Sequence, residues 1–290
     1  MRRAEEGLLM LTCALGENVT PLSAAEYQRL MQRLDILPEK IESGEVSVSF
    51  LRELGYSPKI AQRIVDLLER DEALHRYLSQ PELSVITRIS DGFPTRLRRL
   101  GNHCPSALFC KGDPQLLRTR CICLVGARQL PERSRRFAQL IGTLAAQEGF
   151  TLVSGGANGA DTLAQEACLA AGGSVICFVP DNLSRYPLRQ NVLYCSDEGW
   201  EFAFSADRAL RRNHYIHALG EKAFVAHCPR PKGGTWKGTS YNLQHNLSTV
   251  YILDESTEGA LLLASMGAIC VDEQIPSIDT LLPVQLSIFD

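Results

Sequence analysis

Two short apolar runs constrain what this chain can fold into, because each ends at glycine and a helix-length amphipathic stretch separates them. The first, Cys121 to Val125, is followed by Gly126, and the second, Phe150 to Val153, by Ser154-Gly155-Gly156. Apolar runs too short for helices that alternate with helical patterns are typical of βαβ units in a parallel sheet. Both glycine breaks follow predicted strands, so they lie at the sheet edge where open α/β sheets bind ligands.

The same alternation continues along the rest of the chain. It predicts helices near 131–148 and 159–171 and core strands at 121–125, 151–153, 174–179, 223–226 and 250–253. A further strand is predicted at 84–89, and an arginine-rich connector at 95–120. We therefore predict a mostly parallel α/β sheet with helices on both faces. The predicted segments are a small all-helical N-terminal domain at 1–84, the α/β domain at 85–275 and a C-terminal tail at 276–290.

Composition places the chain among soluble globular proteins. It has 290 residues, of which 45% are apolar and 22% are charged, as is typical of that class. No apolar stretch is long enough to span a bilayer, and no signal peptide is predicted. Ten cysteines occur without a CxxC pair, which indicates neither a zinc site nor a disulfide framework. We expect a cytoplasmic protein whose free thiols, including Cys121, Cys123 and Cys177, are buried.

Basic residues are concentrated in one part of the chain. The net charge is −3, yet residues 88–136 contain 11 basic and 3 acidic side chains, a balance of +8. A block of this kind forms either a solvated arginine-rich face or a surface that contacts phosphates. The sequence leaves both interpretations open.

The glycine loops differ from two common nucleotide-binding motifs. Neither GARQLPE nor SGGANGAD contains GxGxxG, and neither supplies the Lys-Ser/Thr pair of a P-loop, so hydride transfer and NTP hydrolysis lack sequence support. Ser154-Gly155-Gly156 instead allows close backbone approach, and free N–H groups at the start of the next helix suit an anion. Asp161, in the first turn of that helix, would stabilise the helix dipole.

Five motifs occur in a defined order along the chain. They are LVGAR, VSGGANGADTLAQEACLAAGG, VPDNLSRYPLRQN, RRNHYIHALG and a glycine loop with a final strand. This order resembles the DprA/Smf family of DNA-processing proteins over residues 85–270. The resemblance implies an extended Rossmann-like domain, single-stranded DNA binding, a homodimer and loading of a RecA-type recombinase. It implies no catalytic residue, no cofactor and no metal.

The resemblance also implies which residues contact DNA or another ligand. They are Gly126, Arg128, Ser154, Gly155, Gly156, Asn158, Asp161, Arg211, Arg212, Asn213, Lys232, Gly233, Gly234 and Thr235. The chain departs from the family pattern nearby: Asn158 replaces an arginine, Gln165 replaces a histidine, and His214 replaces the second arginine of an RNR motif. Two arginines are thus lost from the expected crevice, which removes potential phosphate contacts.

Alternative functions and sites remain open from the sequence. One is an antitoxin of a phage-defence pair with a phosphoribosyltransferase-like toxin, and another is a sensor or enzyme for a nucleotide derivative. Metal ligation by histidine and cysteine is a weaker hypothesis, because no spacing fixes it; the candidates are His214, His217, His227 and Cys228. Aromatic residues either stack on bases or pack at the sheet edge, and the candidates are Tyr186, Trp200, Tyr215 and Trp236.

The C-terminal residues Gln285-Leu286-Ser287-Ile288-Phe289 resemble the QLxLF-type peptide by which bacterial proteins bind the sliding clamp. Such a peptide needs an extended segment with a polar anchor and two large apolar groups. The alternative is that these apolar side chains and Leu282 pack onto the protein or across a dimer partner, because large exposed apolar groups favour aggregation. We expect the structural role.

Overall fold

Helices precede the sheet, as the sequence predicts. A computed structural model describes residues 1–34, 46–200 and 202–281 of the chain. In the first part of this structure the helices are α1 Arg3–Thr12, α2 Ala24–Leu34, α3 Val48–Glu53, α4 Pro58–Leu68 and α5 Asp71–Leu78. Ser57 caps α4 by accepting a hydrogen bond from Ile60 N, and Pro58 occupies the first turn, where its missing N–H costs nothing.

The strands of the described residues form one sheet. They are β1 Leu83–Thr87, β2 Ala107–Lys111, β3 Cys121–Val125, β4 Thr151–Ser154, β5 Ser174–Phe178, β6 Val192–Ser196, β7 Lys222–Val225, β8 Thr249–Leu253 and β9 Ile269–Val271. Their order is β1-β2-β6-β5-β4-β3-β7-β8-β9. In this order, the seven strands β6-β5-β4-β3-β7-β8-β9 are all parallel to their neighbours. β2 is antiparallel to both β1 and β6. The predicted mostly parallel α/β sheet is confirmed.

The predicted core strands agree with β3, β4, β5, β7 and β8 to within one residue at each end. β2, β6 and β9 are not predicted from the sequence. β2 lies inside the segment predicted as an arginine-rich connector, yet all five of its residues are buried. Even Lys111 is buried there, with its ammonium 3.3 Å from Glu82 Oε2. The flanking arginines and turns conceal this strand in the sequence pattern, although it pairs with β1 on one side and β6 on the other.

Helices cover both faces of the sheet, as in an extended Rossmann-like fold. α6 Glu132–Gln147 and α7 Ala160–Ala170 share one face with the N-terminal helices. α8 Ala206–Leu219, α9 Gly233–His245 and α10 Glu258–Ser265 pack on the other face. Short 3-10 helical segments lie in the connections, at Thr95–His103, Pro114–Arg118 and Leu183–Arg185.

The cysteines belong to this core. Nine of the ten are buried, and Cys270, on the edge strand β9, is exposed. Burial raises the pKa of the Cys121 thiol to about 12 and that of Cys177 to about 11. The buried thiols are therefore protonated near neutral pH and pack as small apolar groups, as the sequence predicts.

A buried arginine holds the N-terminal helices together. Arg70 is 9% exposed, and its guanidinium donates to the carbonyl oxygens of Met10, Cys13 and Ala14 at the end of α1. Cations stabilise helix C-termini, where carbonyl groups lack intrahelical partners. These helices share a core with the sheet: the ring of Tyr77 packs edge-on against Phe109, with centroids 5.6 Å apart. The predicted domain boundary at residue 84 falls inside β1.

The segment after β9 returns to the sheet. Ile278 is buried, and its N–H and that of Asp279 donate to the carboxylate of Glu148. Lys222 Nζ donates to the carbonyl oxygen of Ile278 at 2.5 Å. The clamp-like peptide at 285–289 lies outside the described residues. Within the described part of the chain, no helix has the length and apolar character needed to cross a bilayer.

Helices α6 and α7 approach closely at Gly142, where an added Cβ would collide with the carbonyl oxygen of Ala164. We expect Gly142→Ala to lower the free energy of unfolding by about 2 kcal/mol, because the helices must separate to admit the methyl group. Urea denaturation measures this loss. Gly7→Ala in α1 is the control, since its Cβ would meet no atom within 4 Å. Equal losses in the two variants would contradict the packing argument.

Candidate nucleic-acid interface

The carboxyl ends of β3 and β7 open into a crevice. From β3 the chain adds β4 to β6 on one side of the sheet and β7 to β9 on the other, and open α/β sheets bind ligands at such a switch point. The crevice encloses about 540 Å³. The structure brings nine of the expected residues together in its lining: Gly126, Arg128, Asp161, Arg212, Asn213, Lys232, Gly233, Gly234 and Thr235.

The first glycine loop already holds an anion of its own. The carboxylate of Asp161 accepts hydrogen bonds from the backbone N–H groups of Gly155 and Ala157, at 3.1 and 3.3 Å. Burial raises the pKa of Asp161, and the charge of Arg212 and the two N–H groups oppose that rise. The N–H groups that the sequence assigns to a ligand anion are therefore occupied by Asp161.

Arg212 forms the floor of the crevice above this loop. Its Nη1 lies 3.9 Å from Asp161 Oδ2, and the side chain is 11% exposed. A Cβ on Gly155 would collide with the guanidinium, so glycine at this position makes room for Arg212. The close backbone approach that the sequence predicts at Gly155 is thus made by a side chain of the protein itself.

The second glycine loop presents an open helix N-terminus. α9 begins at Gly233, and no side chain caps its first turn. The first N–H groups of a helix lack intrahelical partners and attract anions. Asn213 fixes this loop against α8, because its Nδ2 donates to the carbonyl oxygen of Gly234 at 3.2 Å. Of the two loops, the one at Gly233 is better placed to receive a ligand anion.

Below Asn213, one turn further along α8, a neutral histidine closes the crevice. Asn242 Oδ1 accepts from Ser248 N at 2.9 Å, which leaves its Nδ2 facing His217 Nδ1 at 3.0 Å. His217 Nδ1 therefore accepts, and the proton of the neutral ring is on Nε2. Burial lowers the pKa of His217 to about 3. The positive charge of the crevice consequently comes from arginine and lysine alone.

Known proteins share this architecture. A family model described as DNA recombination-mediator protein A matches residues 84–279. The chain belongs to this family. Protein Smf of Borreliella burgdorferi is 24% identical over 275 residues, covering 87% of this chain and 82% of that protein. Protein Smf of Escherichia coli is 26% identical over 152 residues, which are 52% of this chain and 40% of that relative. The match thus spans two fifths of the Escherichia coli protein.

Solved structures agree with the family assignment in fold. DNA processing protein A from Streptococcus pneumoniae superposes with a TM-score of 0.73 at 19% identity, covering 93% of this chain and 95% of that one. DNA processing protein A from Helicobacter pylori, studied for its single-stranded DNA binding mode, gives a TM-score of 0.56 at 23% identity. That match covers 65% of this chain and 90% of the Helicobacter chain.

Five residues expected from the DprA/Smf pattern lie outside the crevice lining. Ser154 is buried and accepts a hydrogen bond from Gln165, the residue in the family's histidine position. Gly155 lies beneath Arg212, and Asn158 is exposed on the loop. Gly156 has φ +66°, and a Cβ there would lie 2.8 Å from Cys177 Sγ, so this glycine serves the fold.

Arg211 is the clearest correction to the expected site. Its Nε lies 2.8 Å from Asp197 Oδ2, and its Nη2 pairs with Glu198. Although Arg211 and Arg212 are neighbours in sequence, they lie in successive positions of α8 and therefore face different directions. Only Arg212 faces the crevice.

Phe204 is a candidate contact that the sequence analysis misses. It lines the crevice and is 58% exposed. The proposed stacking residues are placed otherwise: Tyr215 is buried, Tyr186 packs on Tyr194, and Trp200 faces the ammonium of Lys111. Trp236 packs partly against the core. Phe204 lies in an irregular segment before α8, where periodicity carries no signal.

The histidines proposed as metal ligands each contact a different side chain. His214 stacks on Tyr241 with ring centroids 3.8 Å apart, His217 contacts Asn242, and His227 Nδ1 lies 2.7 Å from Glu255 Oε2. Cys228 is buried beside Gly259. Among the residues the structure describes, no group of three or more His, Cys, Asp or Glu side chains is placed to hold a metal ion.

The depressed pKa of His217 predicts a pH-dependent stability. The unfolded chain, with an ordinary histidine pKa near 6.5, binds a proton that the folded protein rejects down to about pH 3. Stability is therefore complete above about pH 6.5 and falls as the pH decreases below it. At pH 5 this group alone costs about 2 kcal/mol.

Urea unfolding of wild type and His217→Gln at pH 8 and pH 5 measures this effect. We expect the loss of stability between the two pH values to be about 2 kcal/mol smaller in the variant. His214, whose pKa burial also lowers, is present in both proteins and cancels in the comparison. An identical pH dependence in the two proteins would rule out the neutral, buried state assigned to His217.

Proposed function

We propose that this chain binds single-stranded DNA in the crevice, as a non-catalytic member of the DprA/Smf family. The observation that carries the proposal is the convergence of phosphate-binding groups on one side of the crevice. Arg128, Arg212 and Lys232 line it together with the uncapped start of α9. All of these groups donate hydrogen bonds or carry positive charge, so the ligand they suit is an acceptor-rich anion.

The charge balance of the crevice supports a phosphate ligand. Four basic side chains and two acidic ones line it, the acids being Asp161 and Asp207. Asp161 is held by Arg212 and the first loop. Within the described residues, no ion pair engages Arg128, Lys232 or Lys237. These three side chains are free to replace the counterions of a nucleic-acid backbone, and their release favours binding.

Phe204 supports a strand whose bases are accessible. An exposed aromatic ring beside a positive groove is the usual combination in proteins that bind single strands, because any base can stack on it. The Helicobacter pylori protein of this fold is described by its single-stranded DNA binding mode. We extend that ligand class to this chain on the strength of the family match and the crevice.

We also propose two protein partners, a second copy of the chain and a recombinase. A homodimer agrees with Leu261 and Leu262 of α10, which are 59% and 41% exposed beside the edge strand β9. A RecA-type recombinase agrees with the description of the family as recombination mediators. The antitoxin alternative gains no support from the relatives and structures described above, which are Smf and DNA processing proteins.

Fluorescence anisotropy with a labelled oligothymidylate, titrated with salt, tests the proposed function. We expect Arg212→Ala to weaken binding about tenfold, because a charged hydrogen bond to phosphate is lost. The slope of log affinity against log salt should fall by about 0.7. Arg211→Ala is the matched control, since Arg211 pairs with Asp197 and Glu198. Absence of binding by the wild type at low salt, or equal effects of the two variants, would refute the proposal.

Replacing Phe204 tests whether bases enter the mouth of the crevice. We expect Phe204→Ala to cost about 1–3 kcal/mol of binding free energy and Phe204→Trp to retain affinity, because the indole also stacks. Leu188→Ala is the control, because Leu188 is 51% exposed and lies outside the crevice lining. With an abasic oligonucleotide the difference between wild type and Phe204→Ala should vanish, and a difference that persists would argue against stacking.

A further inference from the structure

Four arginines lie in or against the loop that follows β1, residues 88–92. Arg2 Nη2 donates to the carbonyl oxygen of Ile89 at 2.5 Å, and Arg98 Nη2 donates to that of Arg88 at 3.1 Å. On the other side, Gly92 is overlaid by the guanidinium of Arg118, whose Nη2 would lie 3.2 Å from an added Cβ. We call Arg2, Arg88, Arg98 and Arg118 the loop patch.

The arginines of the loop patch differ from most of the basic block, whose side chains are paired with acids or with helix ends. In residues 88–136, Lys111 pairs with Glu82, Arg120 with Glu221 and Asp279, and Arg135 with Glu132. Arg133 pairs with Asp272 and Glu273, and Arg136 also pairs with Glu273. Five of the eleven basic side chains of the block are therefore paired with acids within the protein.

Two further arginines of the block serve helix ends. Arg96 donates to the carbonyl oxygens of Ala218, Gly220 and Leu247. Arg99 donates to those of Asn246 and Leu247. Arg96 thus stabilises the C-termini of α8 and α9 and Arg99 that of α9, where a cation is favourable. Arg128 lines the crevice, which leaves Arg88, Arg98 and Arg118 as the block's contribution to the loop patch.

Acidic groups compensate the loop patch only in part. Glu5 lies 3.6 Å from Arg2 Nη2 but also accepts a hydrogen bond from Ser90 Oγ at 2.6 Å. Within the described residues, no ion pair engages Arg88, Arg98 or Arg118. Arg98 and Arg118 are exposed, and each guanidinium has five N–H donors. Arg88 Nη1 is buried without a hydrogen-bond partner in the described chain.

We propose that the loop patch is a second phosphate-binding surface, which contacts the backbone of a DNA strand beyond the crevice. The four arginines outnumber the one acid of the loop itself, Asp91. Like charges gathered around one loop repel each other, and a polyanion relieves that repulsion while releasing its counterions. None of the four arginines lines the crevice, and guanidinium groups on a surface loop suit the phosphate backbone of a strand. The proposal rests on the proposed function, since it extends the path of the same strand.

The loop patch is distinct from the crevice in position. Arg118 ends the 3-10 segment Pro114–Arg118, which leads into the amino end of β3, whereas the crevice lies at the carboxyl end of β3. A strand bound in the crevice therefore reaches the loop patch only if it is long enough to extend from the carboxyl end of β3 to its amino end. The contribution of the loop patch to affinity should therefore appear only with long oligonucleotides.

The test is the affinity of Arg98→Glu/Arg118→Glu for a length series of oligothymidylates, measured by anisotropy. Arg135→Glu/Arg185→Glu is the matched control: it makes the same change in net charge at exposed arginines that are already paired, with Glu132 and Asp181. Melting temperatures verify that all variants fold. We expect the loop-patch variant to match the control on the shortest oligonucleotides that bind.

On long oligonucleotides we expect the loop-patch variant to bind at least tenfold more weakly than the control at low salt. Its salt slope should fall by about 1.4, because two single-strand phosphate contacts are lost. Equal affinities of the two double variants at every length would overturn the proposal that the loop patch contacts DNA. An acidic protein would then be the partner that its charge suits. That result is distinguishable from failure of the proposed function, in which the wild type itself does not bind or is insensitive to Arg212→Ala.

Discussion

The buried contact between Asp161, Arg212 and the first glycine loop is the constraint on which the crevice depends. Asp161 belongs to α7, Arg212 to α8, and the N–H groups they organise to the end of β4. A carboxylate removed from water needs such partners, and breaking the set would leave a buried charge unpaired. Because the contact joins helices on opposite faces of the sheet, it ties the middle of α8 to the loop after β4. Asn213, the next residue of α8, and His217, one turn further on, contact α9.

The core of the fold could be predicted because its strands are fully buried and therefore appear as continuous apolar runs. β3 and β8 are such runs, and the sequence places both to within a residue. β2 escapes prediction because Lys111 ends it and arginines flank it, so the segment resembles a connector although all five of its residues are buried. The sequence also identifies Asp161 as important, but it assigns the carboxylate to a helix dipole. Which N–H groups a side chain reaches is decided by tertiary structure alone.

The arginines also show that the sequence does not reveal which groups a side chain contacts. Their number in residues 88–136 is visible in the sequence, but their partners Asp272, Glu273 and Asp279 lie far along the chain. Ion pairs between exposed groups contribute little to stability, yet they decide which charges remain available to a ligand. Arg211 and Arg212 differ in this respect although they are adjacent. A count of basic residues therefore indicates a class of partner, and only the pairing shows where that partner meets the surface.

The distribution of the thiols has a consequence for how motions of this molecule can be followed. Nine cysteines are closed off in the core, and Cys270 is open on the last strand. Reaction with a thiol reagent requires a thiolate that the reagent can reach, so Cys270 reacts from the native state and the buried thiols react only when their part of the structure opens. Cys110 and Cys195 sit opposite each other on β2 and β6, while Cys123 lies at the centre on β3. The rate at which each native cysteine is modified therefore measures how often its part of the structure opens, from the edge of the sheet to its centre, without any engineered residue.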